Sequence, residues 1–416
     1  MVSRWVERPI LEVLKPNGIK IGPFGSQLKK EMLLSDGVYR VYGQENVYEK
    51  DFSLGDRFLT REHFNHLNSC EIVPGDFVMS TMGTIGKCVI VPKNIQRGIM
   101  DSHLIRLRFD EKKVNPDYIL QLFSDEYHYL SDQTARLAVG GIMDGLSVGI
   151  VSRLNVVYPE SIEEQESIIR TLSDVDYMII ELKKHIRKTR DIKQGTMQML
   201  VSGKKRLSGF CGDWRVTTLD KLCKLVTKQT GFDYSAEIKP SLTTSPQIGT
   251  IPFIQNKDFE GFDINYNTDF FIPYDVAEKY PKILLDEVCL LISISGRIGN
   301  VAVFDNKQKA FAGGAVGIAK LYDPEIANWC MLYLSGNEGQ EQIFSNEKVG
   351  AQHNLTVADV RKLEIKLPEK PEREAIIRVL LDMDDEIRLL EEKLEKYVKM
   401  KQGMMEELLT GKVRLV

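Results

Sequence analysis

Residues 164–207 fall on residues 372–415 without a gap when the chain is slid along itself by 208 positions. Ile168-Ile169-Arg170 meets Ile376-Ile377-Arg378, and Leu172, Asp174 and Asp176 meet Leu380, Asp382 and Asp384. Lys193-Gln194-Gly195 meets Lys401-Gln402-Gly403, and Gly203-Lys204 meets Gly411-Lys412. So many gapless identities mark a duplication, and the period is far too long for a solenoid. Weaker echoes lie upstream. Ser80-Thr81-Met82-Gly83 with Gly86 resembles Ser293-Ile294-Ser295-Gly296 with Gly299. Gly141 with Leu146-Ser147-Val148 resembles Gly350 with Leu355-Thr356-Val357, and the run from Gly37 to Asn46-Val47 resembles that from Gly249 to Asp258-Phe259. The chain therefore alternates two variable domains with two constant segments.

The constant segments read as long helices. Ser161 followed by Glu164 has the spacing of a capping box, and Pro371 suits a first helical turn. Gly203 and Gly411 stand where left-handed residues would end each helix. A seven-residue seam runs Leu172, Val175, Ile179, Leu182, Ile186, and again Leu380, Met383, Ile387, Leu390, Leu394. Sustained spacing of this kind predicts a coiled coil, about 60 Å long at 1.5 Å per residue. A domain of about 160 residues has a radius of gyration near 15 Å, so its two ends cannot easily lie a helix length apart. The second helix is thus expected to run back along the first. The expected fold is α+β: two mixed α/β domains separated by two long antiparallel coiled-coil helices, related by a pseudo-two-fold axis. The expected boundaries are 1–155, 156–207, 208–365 and 366–416. Within the variable domains, Phe77-Val78-Met79, Val288 to Ile292 and Val301 to Phe304 read as strands. Tyr118 to Phe123 and Trp329 to Leu334 read as helical.

Little in the chain spells out chemistry. The six cysteines form no CxxC pair, which speaks against a zinc ribbon and fits a reducing cytoplasm. No apolar run is long enough to span a membrane, and Arg4, Glu7 and Arg8 break up any leader-like N-terminus. The net charge of −4 exerts no general pull on nucleic acid, so a polyanion partner needs local patches. Gly83-Thr84-Ile85-Gly86-Lys87 is an incomplete phosphate loop whose counterpart, Gly296 to Asn300, has no lysine, so a shared tight turn is the better reading. His63, His66 and Cys70 are too scattered in a charged segment to make a metal site. Asp359, Glu364 and Lys366 imitate a nuclease cluster, but Ile150, Asn155 and Val157 occupy the matching places of the first copy. No catalytic residues and no metal are expected.

Two dissimilar domains alternating with two similar coiled-coil segments resemble the specificity subunit of type I restriction–modification systems. The strings GPFGSQLKK from Gly22 and TKQTGFDYS from Thr227 are similar to that family, as are the Ser-x-x-Gly-x-x-Gly turns at Ser80 and Ser293. So is the helix entry from Pro159 through Glu164-Gln165 to Ile168-Ile169; the second copy departs, with Glu372-Arg373. The resemblance implies a non-catalytic cytoplasmic subunit whose variable domains each read one half of a bipartite site in double-stranded DNA. It implies helices that set the spacer and dock two modification (methyltransferase) subunits, which would carry the S-adenosylmethionine. Restriction (motor–endonuclease) subunits would join to make the cleaving complex. The alternative from another class is a coiled-coil scaffold presenting two protein-binding domains, which would not require the end domains to diverge.

Side chains that read base edges are Arg or Lys for guanine and Asn or Gln for adenine. The candidates in the first domain are Gln27, Lys29, Lys30, Gln44, Asn46 and Thr84. In the second they are Lys228, Gln229, Gln255, Asn256, Lys257, Arg297 and Asn300. Laying Gly37 on Gly249 places Gln44 on Asn256. The chain by itself is expected to bind no S-adenosylmethionine. Isothermal titration of the methyl donor into the isolated protein checks this, and micromolar binding would contradict the reading.

Overall fold

The computed structural model describes residues 4–137, 145–345 and 354–415; Gly141 and Gly350 of the upstream repeat lie outside them. The chain divides into two compact units, residues 1–184 with 392–416 and residues 185–391. Each unit takes in part of both long helices, Ile162–Val201 and Lys370–Leu408.

In the first unit a four-stranded antiparallel sheet has the order Leu14–Ile21, Leu104–Phe109, Phe77–Ser80, Cys88–Ile90. A second sheet has the order Phe58–Leu59, Tyr39–Tyr42, Gly98–Met100, Glu71–Ile72, with its central pair parallel. The second unit repeats both. Cys223–Lys228, Val316–Leu321, Cys289–Ser293 and Val301–Phe304 form the first sheet, and Phe271–Pro273, Thr250–Ile254, Ala310–Ala312 and Leu284–Leu285 the second. A two-stranded ribbon closes each domain onto its helix: Trp5–Pro9 pairs with Asn155–Pro159, and Arg215–Thr218 with Glu364–Leu367. The helix Ala327–Ser335 extends beyond the stretch expected from periodicity at both ends, whereas Pro116–Leu122 starts two residues earlier and ends one residue earlier than expected.

Each core is built from both sheet and helix. In the first unit Phe77, Met79, Ile105 and Leu107 pack with Ile168 and Leu172 from one long helix and Met405 and Leu408 from the other. In the second unit Leu290, Ile292, Trp329 and Leu332 pack with Leu200 and Val201 from the first helix and Ile376 and Leu380 from the second. Each such fully buried side chain contributes roughly 1.5–3 kcal/mol of hydrophobic stabilisation. The heptad positions Leu172, Val175, Ile179, Ile186, Leu380 and Ile387 are buried, and Leu182, Met383, Leu390 and Leu394 are half-buried. Polar seam positions pair as well. Lys401 meets Asp176 at 2.6 Å in the first unit, and its counterpart Lys193 meets Asp384 in the second. Burial of Lys401 would lower its pKa, but Asp176 and Glu126 outweigh that and raise it.

The helix ends depart from the expected capping box in an informative way. The Ser161 hydroxyl does accept from the Glu164 N–H at 3.2 Å. The Glu164 carboxylate, however, turns away to receive Nε and Nη2 of Arg414 at 2.6 and 2.8 Å and the Trp5 indole N–H at 3.4 Å. The second unit repeats this clasp: Glu372 receives Arg206 at 2.5 and 2.6 Å and the Trp214 indole at 3.0 Å. Gly203 and Gly411 adopt φ of +74° and +73°, as a left-handed helix end requires, and each lies against the tryptophan ring of its unit. The Glu372-Arg373 departure therefore leaves the carboxylate's role intact.

Hydrogen bonding from Arg414 holds the Glu164 carboxyl below its usual range, against burial that would raise it. A carboxyl lowered on folding stabilises the fold fully above its unfolded value, about 4.3, and loses that contribution as pH falls through the folded value. Glu164→Gln is thus expected to lower the unfolding temperature at pH 7. The gap from the wild type should narrow below about pH 4. Circular-dichroism melts at both pH values check this; a gap independent of pH would contradict it.

Candidate nucleic-acid interface

In each domain one edge of the structure gathers most of the candidate residues. The central strand of the first sheet begins at Leu104 in one unit and Val316 in the other. Ser80 pairs with Leu104 and Ser293 with Val316, while Ile21 and Lys228 pair one residue further along. Two loops therefore leave the sheet side by side: the one after Ile21 or Lys228, and the one after Ser80 or Ser293. A third joins them, because Asp101 N–H donates to Tyr42 O at 2.8 Å and Gly313 N–H to Ile254 O at 2.8 Å. This brings Gly43-Gln44 and Gln255-Asn256 to the same edge.

The loop after the serine is the tight turn expected from the repeat. Ser80 Oγ donates to Thr84 O at 2.7 Å and accepts from Lys87 N at 3.0 Å. Ser293 Oγ likewise donates to Arg297 O and accepts from Asn300 N at 2.9 Å. Gly83, Gly86, Gly296 and Gly299 all have φ between +65° and +92°, which explains the glycine spacing without a bound phosphate. Thr84, Arg297 and Asn300 are exposed on these turns.

The third loop repeats with different side chains. Gly43 N–H is capped by Asn46 Oδ1 at 2.9 Å, as Gln255 N–H is capped by Asp258 Oδ2 at 2.7 Å. Gln44 and Asn256 then occupy equivalent places beside Gly83 and Gly296, as the alignment on Gly37 and Gly249 anticipates. Gln44 Oε1 accepts from Tyr48 Oη at 3.0 Å, and Asn256 Nδ2 donates to Ser295 O at 2.7 Å. Asn46 is different from the other candidates. It is fully buried, and its amide also donates to Asp51 O and Leu54 O at 2.9 and 3.0 Å, so it holds the loop and has nothing to offer a base. Lys257 is paired with Asp269.

The remaining candidates follow the first strand. Gln27, Lys29 and Lys30 are exposed, as is Lys228, whereas Gln229 is buried. Phe24 and Phe232 stand exposed in the corresponding loops, 58% and 83%, an unusual placement for large apolar rings. Sequence reasoning missed two supports. Tyr48 Oη lies 2.9 Å from Met82 O and accepts from Thr84 N, tying two loops together. Arg57 bridges Glu45 and Asp101 at 2.7 and 2.9 Å; burial works against its charge, but the two carboxylates raise its pKa. Both contacts join residues far apart in sequence, and no local pattern announces them.

The clusters suspected of chemistry disperse. Asp359 caps the helix Val357–Lys362 through Thr356, and Lys366 pairs with Glu338 at 2.8 Å. Among the described residues no three His, Cys, Asp or Glu side chains come together as metal ligands, and no helix is long and apolar enough to cross a membrane.

The profile of the type I restriction modification DNA specificity domain matches this chain twice, over residues 19–189 and 212–399. Two proteins of Methanocaldococcus jannaschii are similar along most of their length. The MjaVIII type I restriction enzyme specificity subunit is 24% identical over 337 residues, 77% of this chain and 75% of its own. The MjaX protein, assigned as a type I restriction enzyme specificity subunit, is 24% identical over 384 residues, 89% of this chain and 81% of its own. The fold is shared with solved structures at 14% identity. A chain from a type I restriction–modification assembly superposes with a TM-score of 0.60, covering 97% of both chains. The specificity subunit of M. genitalium superposes at 0.54, covering 98% of this chain and 96% of its own. With a sheet-edge loop cluster written twice and a family profile covering most of both copies, this chain belongs to the type I restriction–modification DNA specificity family.

Proposed function

We propose that this chain is the DNA-reading subunit of a type I restriction–modification complex, each variable domain contacting one half of a bipartite site. The carrying observation is that both domains build the same three-loop edge but arm it differently. Gln44 stands where Asn256 does, Thr84 where Arg297 does, and Gly22 where Gln229 does. An identical frame with different polar ends is what two different base sequences call for; a scaffold gains nothing from it. The recognition domains are taken as residues 1–155 and 208–365. The segments 156–207 and 366–416 form the coiled coil and the docking surface for two methyltransferase subunits, with restriction subunits completing the cleaving form. The pairings of Lys401 with Asp176 and of Lys193 with Asp384 support an antiparallel direction, since higher numbers in one helix meet lower numbers in the other.

Replacing residues 10–154 by the same segment of another family member spares Trp5 and its clasp. In cells carrying the hybrid and its methyltransferase, one half of the methylated sequence should change and the other persist. Sequencing of methylated adenines checks this; a change in both halves would overturn modular reading.

A second prediction concerns the spacer. Leu200 and Val201 belong to the second core, so an insertion near Met199 would disrupt packing. Four residues inserted after Lys184 and four after Glu391 fall at the boundary between units. They add about 6 Å and about 40° beyond a full turn. One base pair adds about 3.4 Å and about 35°. The methylated sequence should keep both halves and gain one or two base pairs between them.

A further inference from the structure

Gln229 is 3% exposed, yet neither its Oε1 nor its Nε2 has a hydrogen-bond partner. Buried amides are almost always paired, because an unpaired one forfeits its bonds to water and receives nothing in exchange. The side chain lies against Gly314, where even a Cβ would come within 3.3 Å of Oε1. It also lines a cavity of about 490 Å³ with Lys228, Gly231, Tyr234, Phe253 and Gln255. The cavity lies between the loop after Lys228 and the one that begins at Gln255.

The first domain excludes this arrangement. Its equivalent residue is Gly22, where a Cβ would lie 1.8 Å from Asp101 O, so no side chain fits. The pairing of Gln229 with Gly314 is thus a device of the second domain alone, in a frame that is otherwise shared.

We propose that Gln229 is a specificity-determining residue that reads an adenine in the half-site taken by the second domain. Rotation about its side-chain bonds carries the amide into the adjoining cavity. No hydrogen bond is broken in that movement, since there is none to break. There Oε1 accepts from adenine N6 and Nε2 donates to N7, the pairing that a planar amide makes in the major groove. Guanine offers two acceptors at the same places and leaves Oε1 unpaired, so it is rejected. Lys228, adjacent and exposed, is placed for the backbone phosphate. The inference rests on the DNA-reading function proposed above.

The test uses the complete complex in cells, with the methylated sequence mapped for the wild type, Gln229→Leu and Gln229→Glu. In Gln229→Leu one A·T position of one half-site should relax, its discrimination falling about 10- to 100-fold, while the other half-site is unchanged. In Gln229→Glu that position should shift towards cytosine, whose N4 donates to a carboxylate. The unfolding temperature of the purified Gln229→Leu chain should equal or exceed that of the wild type. A sequence unchanged in both variants would overturn the proposal while leaving the DNA-reading function standing. So would loss of all methylation in both variants with a fall in unfolding temperature, which assigns the amide to support of the fold. A wild-type complex that methylates no bipartite sequence would overturn the function itself, and this inference with it.

Discussion

The arginine–glutamate–tryptophan clasp is the contact on which each unit depends. Arg414 follows the end of the second long helix, Glu164 lies in the first turn of the first, and Trp5 opens the adjoining ribbon. Residues 250 positions apart are thereby held at one point. Arg206, Glu372 and Trp214 do the same in the second unit across 166 positions. The guanidinium fork matches the two carboxylate oxygens and also lies over the indole ring, 5.8 Å from its centroid in one unit and 5.3 Å in the other. Lysine could supply the charge but not the fork or the stacking surface. The neighbouring glycine completes the fit, since a Cβ at Gly411 would come within 2.7 Å of the Trp5 ring.

From that closure the division of labour follows. The clasp, the ribbon and the helix core fix where each sheet stands, and the loops at the sheet edge are then free to vary. Ser80 and Ser293 show how little of the edge is needed for its shape: one buried hydroxyl in each domain satisfies both ends of a turn. Thr84 and Arg297 can differ because their side chains stand exposed on the turn; Asn256, unlike Gln44, lends its amide to the frame by donating to Ser295 O. Asn46 and Asp258 cannot be exchanged as freely, because their side chains cap the loop that carries Gln44 and Asn256.

Legibility in the sequence followed the range of the interactions. The helices were visible because a seven-residue repeat is local and each helix ends at a glycine with positive φ. The serine–glycine turns were visible for the same reason. Among the candidate residues, type alone could not separate exposed Arg297 from buried Asn46 or from Lys257, which Asp269 already engages. The spacing of Glu164 from Ser161 fits half of a capping box, but its carboxylate's partner, Arg414, lies 250 positions away in sequence.

The sequence by itself determined the duplication, the two long helices and the family. All of these rest on periodicity or on identity at a fixed offset, which survive without coordinates. The tertiary structure alone decided which polar residues share an edge, that both helices enter both cores, and that one glutamine lies buried without a partner. Those facts depend on strand register and on contacts across more than a hundred residues. A one-residue shift in pairing would reverse which side chains face inward, and no local pattern encodes that choice.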